Sequence, residues 1–437
     1  MKKSLKINKL INSFNKTISV EGDKSLSIRW VLLSSLSKKK SIAYNLLKSE
    51  DVFSALHCVK KLGAKVKMSK DKCIIIGVGL NYKQKENLIL NAGNSGTLGR
   101  LILGLLINYD NKIKLTGDKS LSKRDFSRVI KPLKKFGASF SLKKTLPLTM
   151  KGINKPKSID YIENKGSAQC KTSIMLAALK SEGVTKIKAK KSRDHTEILF
   201  KYLKIPLRIK KYKKYDIIQI KGVKNIKSLN YKIPGDISSC SFFIVLTILS
   251  EDSKLLIKNV NINPSRIGII DILKKMGASI KILNKKNYKG EKTADIFVKS
   301  SKNLKAINCP TKYNSRAIDE FLIIFLVAAK SKGISLFKNL AELNQKESPR
   351  LIWGSKILNY MGIRTKLTKN SIKIYGNPNL IIKNNIQIKN FLKDHRVFMM
   401  SVIAALTFKT KGNWDIYDLE SIKTSFPTFL KTLKKLM

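Results

Sequence analysis

Apolar residues along this chain fall into two alternating kinds of stretch. One kind is amphipathic and recurs as a phrase. "CVKKLGAKVKM" follows Ala55, "PLKKFGASFSL" follows Val129 and "LFKYLKIPLRI" follows Thr196. "ILKKMGASIKI" follows Ile269, "ILNYMGIRTKL" follows Trp353, and "FLKTLKKLM" closes the chain. Each reads as a helix with apolar residues at helical spacing, and the first five run through a short turn into the alternation of a strand. The other kind is apolar almost throughout, as in "SIRWVLLSSLSKK", "GRLILGLLIN", "CKTSIMLAALKSEG", "SSCSFFIVLTILSED", "DEFLIIFLVAAKSKG" and "HRVFMMSVIAALTFKTKG". These predict buried helices. The amphipathic phrases return every 65 to 85 residues or so, roughly the regularity of a repeat architecture. Six units, each holding two helices and several strands, fill the chain and group as three plus three.

The segment "FLIIFLVAA" is too short to span a bilayer and lies between "RAIDE" and "KSKG", so it reads as a core helix. The start, "MKKSLKINKLINSFNK", is basic, but its apolar stretch is broken by Lys and Asn and no small-residue cleavage site follows. A cytoplasmic protein is expected.

A chain of 437 residues exceeds one ordinary core and implies two or three domains. Its 43% hydrophobic content argues against disorder. The formal charge of +59 would suit a nucleic-acid partner. The lysines, however, run along the whole length with no basic tail, and Ile and Asn are also abundant throughout, which reads as compositional bias. That bias makes arginine informative. Of 88 basic residues only Arg29, Arg100, Arg124, Arg128, Arg193, Arg208, Arg266, Arg316, Arg350, Arg364 and Arg396 are arginines. A chain drifting towards Lys keeps Arg where a planar fork must grip carboxylate or phosphate. The five cysteines, Cys58, Cys73, Cys170, Cys240 and Cys309, form no CxxC and read as reduced, partly buried thiols. The three histidines are dispersed and suggest no metal site.

The polar motifs precede the apolar runs: "GDKSLSIR", "NAGNSGTLGR", "GDKSLSKRDF", "GSAQCKTS", "SRDHTE", "PGDISS", "NPSRIG", "RAIDE", "QKESPR" and "KDHR". Ser, Thr and Asp at a helix start act as N-caps. Arg there opposes the helix dipole, so an anion is expected to compensate. The string GDKSLS occurs twice, at Gly22 and Gly117, outside the repeat period. A Gly turn, a basic side chain, hydroxyls and a following Arg make an anion cradle, and two cradles suggest two anions or one substrate with two anionic ends. Asp319, Glu320, Glu347 and Asp394 sit among these bases, either as counter-ions or, for one placed against a hydroxyl, as a general base.

In order and spacing these motifs resemble the enolpyruvyl transferases, and within them the branch acting on shikimate 3-phosphate. The resemblance runs from Gly22 to Pro427. It implies an α/β fold of two domains, an inside-out α/β barrel built from six βαβαββ repeats, three per domain, with the active site in the interdomain cleft. The expected domains are residues 24–235 and residues 1–23 plus 236–437. It implies that the 5-hydroxyl of shikimate 3-phosphate attacks C2 of phosphoenolpyruvate, with no metal or organic cofactor, in a monomer that needs no nucleic acid. By motif, Lys24, Ser25, Arg29, Ser167, Ala168, Gln169, Arg193, Asp319 and Lys346 would meet shikimate 3-phosphate. Lys24, Asn94, Gly96, Arg124, Gln169, Arg350 and Arg396 would meet phosphoenolpyruvate. Asp319 matches the base for the 5-hydroxyl, Glu347 and Lys346 match the groups for proton transfer at C3, and Lys24 stands with them as catalytic. The family's herbicide glyphosate takes the phosphoenolpyruvate site, and Gly96 implies sensitivity to it.

Two positions depart from the family's pattern. Pro349 stands in "KESPR" where the family has an acid, and Pro suits a helix start behind a Ser cap. Thr424 stands in "TSFP" where some relatives carry Lys. The sister enzymes acting on UDP-N-acetylglucosamine typically start G-x-K-N and carry a cysteine near the second GDKSLS string. Here the start is K-S-x-S-x-R, and no Cys lies between Cys73 and Cys170. A nucleic-acid binder would leave the internal carboxylates unexplained.

Overall fold

The computed structural model of the chain describes residues 4–82 and 86–437. Its contacts divide it into two units. One holds Gly22–Ile233 with Tyr288–Glu291, and the other holds Met1–Glu21, Pro234–Asn287 and Lys292–Met437.

A single strand pattern builds both units. Leu88–Asn91 runs parallel to Lys112–Thr116, which is antiparallel to Leu148–Lys151, which in turn pairs antiparallel with Ser139–Phe140. Helices Gly96–Leu105 and Ser127–Lys135 make the connections, giving a βαβαββ repeat. Asp160–Glu163, Val184–Lys190, Tyr215–Lys221 and Leu207–Lys211 follow the same order. In the second unit Gly333–Phe337, Ile372–Gly376 and Thr365–Leu367 repeat it, with isolated parallel bridges at Lys305 and Asn308 in place of the leading strand. The leading strands near the unit boundaries are exchanged. Asn15–Ile18 precedes helix Lys24–Ser35 in sequence but pairs with Lys254–Asn261 of the second unit. Tyr231–Lys232 precedes helix Ile237–Leu249 but pairs with Lys40–Tyr44 of the first.

The five recurring phrases fold alike at their turns. Gly63, Gly137, Lys204, Gly277 and Gly362 all have positive φ. The next residue in each case donates its N–H back to a carbonyl five residues earlier, as Ala64 does to Val59 at 3.0 Å and Ile205 to Phe200 at 2.9 Å. This closes the helix and aims the chain into a strand. Lys204 is the one non-glycine among the five and holds φ at 57°. The sixth phrase contains helix Phe429–Lys434 near the C-terminus.

The apolar helices form the cores. All of Ile237–Leu249 and His395–Thr407 is buried; they pack on each other and on helix Phe321–Lys330, and Arg350–Tyr360 packs on Phe321–Lys330 and His395–Thr407 in the second unit. In the first unit Gly96–Leu105 packs on Lys24–Ser35 and on Ala168–Ala178. The second of these approaches is so close that a Cβ at Gly104 would lie 2.0 Å from the Ser173 carbonyl oxygen. No helix among the described residues is long and apolar enough to cross a membrane.

Each unit ties helix C-termini together with a lysine. Lys180 Nζ donates to the Leu105 carbonyl at 2.7 Å, and Lys330 Nζ donates to those of Leu249 and Thr407 at 3.0 and 2.9 Å. A cation there offsets the partial negative charge of the gathered C-terminal carbonyls. All five cysteines are buried, further than the sequence suggests, and burial pushes the Cys170 thiol up to about 12. At the hairpin of Leu207–Lys211 and Tyr215–Lys221, Tyr212 and Tyr215 stack at 4.7 Å, with Lys210 over the Tyr212 ring and Lys188 of the neighbouring strand over the Tyr215 ring.

Candidate active site

The functional motifs lie at helix starts and form one cluster in each unit. In the first unit the helix begins at Lys24, so "GDKSLSIR" is mostly inside it rather than ahead of it. Asp23 caps it, accepting from the Leu26 N–H at 2.9 Å. The second copy begins the same way. Asp118 accepts from the Leu121 N–H at 2.8 Å, and Ser122 N–H bonds the Asp118 carbonyl as Ser27 N–H bonds that of Asp23. Identical residues thus make an identical first turn. The copies diverge afterwards: Ile28 and "WVLL" carry the first into a buried helix, while Lys123, Arg124 and Asp125 let the second stop as a 3-10 turn at Leu121–Lys123.

Lys24 Nζ meets Asp51 at 3.1 Å. Arg29 is buried and donates from Nε to Thr196 Oγ1 at 2.9 Å, from Nη2 to Thr172 Oγ1 at 3.1 Å and from Nη1 to the Ser25 carbonyl at 3.0 Å. Gly96 opens its helix behind the Ser95 cap. A Cβ built on Gly96 would lie 2.9 Å from both Arg100 Nη1 and Arg124 Nη1, so two guanidinium groups flank it. Arg100 is fixed by Gln169 Oε1 at 2.9 Å, by the Asp125 carbonyl at 3.1 Å and by the Phe126 ring. Arg124 Nη2 reaches Ser120 Oγ at 3.4 Å. Asn94 ties this loop to the second GDKSLS turn by donating to Asp118 at 2.7 Å. Ser167 caps helix Ala168–Ala178, and Gln169 Nε2 donates to Thr97 Oγ1 at 3.0 Å. The turn leading in is held by Glu163, whose carboxylate accepts the N–H groups of Lys165, Gly166 and Ser167. Burial raises the Glu163 pKa despite those bonds. Arg193 lies in the loop just ahead of helix His195–Tyr202.

In the second unit the cluster centres on Arg350, which is 1% exposed. Its Nε and Nη2 grip Asp394 at 2.9 and 3.2 Å, its Nη1 lies 3.4 Å from Asp319, and its Nη2 also donates to Glu347. Burial opposes this charge, but Asp394, then Glu347 and Asp319, raise its pKa above the ordinary arginine value. Asp394 also accepts from Ser348 Oγ at 2.9 Å and caps helix His395–Thr407 through the Arg396 N–H at 3.0 Å. Asp319 has Lys346 Nζ 3.4 Å away, and its carbonyl accepts from Arg396 Nη1 at 2.7 Å. Pro349 ends up at the cap position, so the helix begins one residue later than a Ser348 cap would place it, and Ser348 turns to Asp394 instead. Arg350 thus draws its orientation from Asp394, whatever the missing acid at 349 would have done.

The family model for EPSP synthase (3-phosphoshikimate 1-carboxyvinyltransferase) matches residues 9–433. The chain belongs to the EPSP synthase family. It is 38% identical over 434 residues to the 3-phosphoshikimate 1-carboxyvinyltransferase of Clostridium tetani, spanning 99% of this chain and 96% of that one. To the enzyme of the same name from Petrotoga mobilis it is 36% identical, covering 97% of both chains. The solved EPSP synthase of Acinetobacter baumannii superposes with a TM-score of 0.84 at 33% identity, covering 99% of this chain and 97% of that chain. The enolpyruvyl transferase NikO of Streptomyces tendae, 13% identical with a TM-score of 0.76, shares the fold. The α/β architecture that the motifs imply is therefore that of the family.

Within the first unit the structure brings Gly96, Arg124 and Gln169 around Arg100, ties Asn94 to Asp118, and sets Lys24, Ser25 and Arg29 on one helix start. Within the second it gathers Asp319, Lys346, Glu347, Arg350 and Arg396. Three contributors are not evident as site residues in the sequence: Asp51, Thr172 and Thr196. Thr172 and Thr196 stand inside the motifs "GSAQCKTS" and "SRDHTE", but a threonine at a helix start reads first as a cap. Asp394 is visible as an acid in "KDHR", while its grip on Arg350 depends on two helix starts meeting.

Proposed function

We propose that this EPSP synthase family member works through the residues gathered at its helix starts. The enzyme transfers the enolpyruvyl group of phosphoenolpyruvate to the 5-hydroxyl of shikimate 3-phosphate, releasing phosphate. The match of the family across residues 9–433 carries this reading, and the arginine-bearing helix starts supply its chemistry, since both substrates carry phosphate and carboxylate groups. Lys24, Ser25, Arg29, Ser167, Ala168, Gln169 and Arg193 bind shikimate 3-phosphate. Arg124, Arg350 and Arg396, with Lys24, Asn94, Gly96 and Gln169, bind phosphoenolpyruvate. Asp319, held beside Lys346 and Arg350, takes the 5-hydroxyl proton as the oxygen bonds to C2 of phosphoenolpyruvate and C3 gains a proton. Glu347 and Lys346 serve that second transfer. The tetrahedral intermediate then loses phosphate from C2 and a proton from C3, restoring the double bond. The protein works as a cytoplasmic monomer and is inhibited by glyphosate.

The test is phosphate release from shikimate 3-phosphate plus phosphoenolpyruvate. Turnover with this pair and none with UDP-N-acetylglucosamine as acceptor is expected. Release with the nucleotide sugar alone would overturn the assignment.

A further inference from the structure

Three consecutive side chains open helix His195–Tyr202, and each is held by a different element. Glu197 pairs with Lys171 of helix Ala168–Ala178 at 2.5 Å, and Thr196 Oγ1 accepts from Arg29 Nε of helix Lys24–Ser35 at 2.9 Å. His195 is held from elsewhere in the same unit. Its Nδ1 lies 2.5 Å from Glu291 Oε1, and both residues are wholly buried. A carboxylate this far from water is costly unless well bonded, so the pair marks a fixed geometry and not a loose contact.

Glu291 lies far along the sequence from every motif of the first-unit cluster. It ends the segment Tyr288–Glu291, which belongs to that unit. Lys289 and Gly290 form a two-residue turn with φ of 52° and 89°, the left-handed pair that closes a tight hairpin. The turn is itself docked. Tyr288 Oη accepts the Lys232 N–H at 2.9 Å, the Tyr288 ring packs edge-on against Tyr231 at 5.2 Å, and Lys289 Nζ donates to the Asn230 carbonyl. Gly290 approaches helix His195–Tyr202 so closely that a Cβ there would lie 2.8 Å from Ile198 Cγ2. His195 and Ile198 are one helical turn apart, so the turn meets one face of this helix at two points. Arg193, half-buried, stands two residues ahead of His195. The place of the helix's first turn therefore sets the place from which the Arg193 side chain extends.

We infer that Glu291 is a positioning residue: through His195 it fixes the first turn of helix His195–Tyr202, and so places Arg193 for an anionic group of the substrate. The inference rests on the proposed activity for the identity of that substrate, shikimate 3-phosphate, and for the contact that Arg193 makes with it. Glu291 itself is assigned no contact with substrate.

The experiment measures shikimate 3-phosphate binding by calorimetry, steady-state constants for both substrates, and melting temperature, on the full chain. It compares the wild type, Glu291→Leu, Arg193→Ala and the double variant. Glu291→Leu removes the acceptor and is expected to weaken shikimate 3-phosphate binding roughly tenfold, the order of one hydrogen bond to a charged group, with a smaller effect on the KM for phosphoenolpyruvate. In the Arg193→Ala background the same change should cost less than about twofold, because residues that act through one contact are not additive. Glu291→Gln keeps an acceptor for the imidazole, and His195→Asn keeps a donor near the place of Nδ1. Both should bind shikimate 3-phosphate more tightly than Glu291→Leu and His195→Leu. If Glu291→Leu does not fold, the cycle is run with Glu291→Asp, which withdraws the carboxylate by one methylene, and a smaller loss that again vanishes beside Arg193→Ala is expected. A wild type that binds shikimate 3-phosphate together with Glu291 variants that bind it equally well overturns this inference alone. Losses of the same size with and without Arg193 also overturn it, since they mark a merely structural role. A wild type that does not bind shikimate 3-phosphate overturns the proposed activity, and this inference with it.

Discussion

Replacing Gly96 with alanine puts a methyl group between two arginines. The added Cβ would sit 2.9 Å from Arg100 Nη1 and 2.9 Å from Arg124 Nη1, with Leu121 Cδ1 at an ordinary 3.7 Å. Carbon and nitrogen settle nearer about 3.5 Å, the usual contact distance for such atoms, so the guanidinium groups must give by roughly half an ångström. Arg100 has short bonds to Gln169 and the Asp125 carbonyl, whereas the bond from Arg124 to Ser120 is long at 3.4 Å. At least one of the two guanidinium groups must therefore move. Both neighbours are ends of flexible chains, so folding should be little affected. A half-ångström shift of a guanidinium weakens a charge-assisted contact by about 1 kcal/mol, or about fivefold in the KM for phosphoenolpyruvate. Glyphosate is longer than phosphoenolpyruvate and would meet the methyl as well as the displaced arginine, so its inhibition constant should rise by a larger factor. The assay is inhibition at saturating shikimate 3-phosphate, with phosphoenolpyruvate set at the same multiple of KM for each protein. Superimposable inhibition curves, or an unchanged KM for phosphoenolpyruvate, would refute the reasoning.

Four further outcomes are expected. Asp319→Asn should lower kcat by about 10²–10⁴, the usual worth of a general base, with shikimate 3-phosphate still bound in calorimetry; near-normal turnover would reduce Asp319 to a counter-ion of Lys346 and Arg350. Arg124→Lys keeps charge but loses the fork, so the KM for phosphoenolpyruvate should rise well beyond that for shikimate 3-phosphate; equal changes would contradict separate roles for the two GDKSLS turns. Asp394→Ala leaves the buried Arg350 without its principal carboxylate and should destabilise by about 3–5 kcal/mol, read as a lowered urea midpoint. Lys204→Gly relieves the one non-glycine left-handed turn among the five and should stabilise by about 0.5–1 kcal/mol after allowing for the freer unfolded chain; an unchanged melting curve would count against the strain.

Much of the fold is legible in the order of residues alone. The recurring turns, glycine at four of the five, and the two kinds of apolar stretch mark the helices and the repeat, because helical periodicity and left-handed glycines are set by residues a few positions apart. The two GDKSLS strings show how far such local determination reaches: the same six residues make the same Asp-capped turn twice. Whether that turn continues into a helix depends on an apolar run being there to be buried. The scarcity of arginine likewise singles out Arg29, Arg100, Arg350 and Arg396, which lie in the first two turns of their helices.

The partners of those arginines are not legible. Arg29 meets Thr172 and Thr196 across 143 and 167 residues of sequence, and Arg350 meets Asp394 across 44. Nothing local distinguishes a capping threonine from one that receives a guanidinium. The same holds for the leading strands at the unit boundaries, since Asn15–Ile18 and Tyr231–Lys232 could each have paired with the helix-linked strand next in sequence. Residue type and spacing determine which groups the chain carries and how each turn begins. Which groups face each other is decided by packing the buried helices with their starts together, and only that packing shows that Arg29 is gripped by two threonine hydroxyls and Arg350 by a carboxylate.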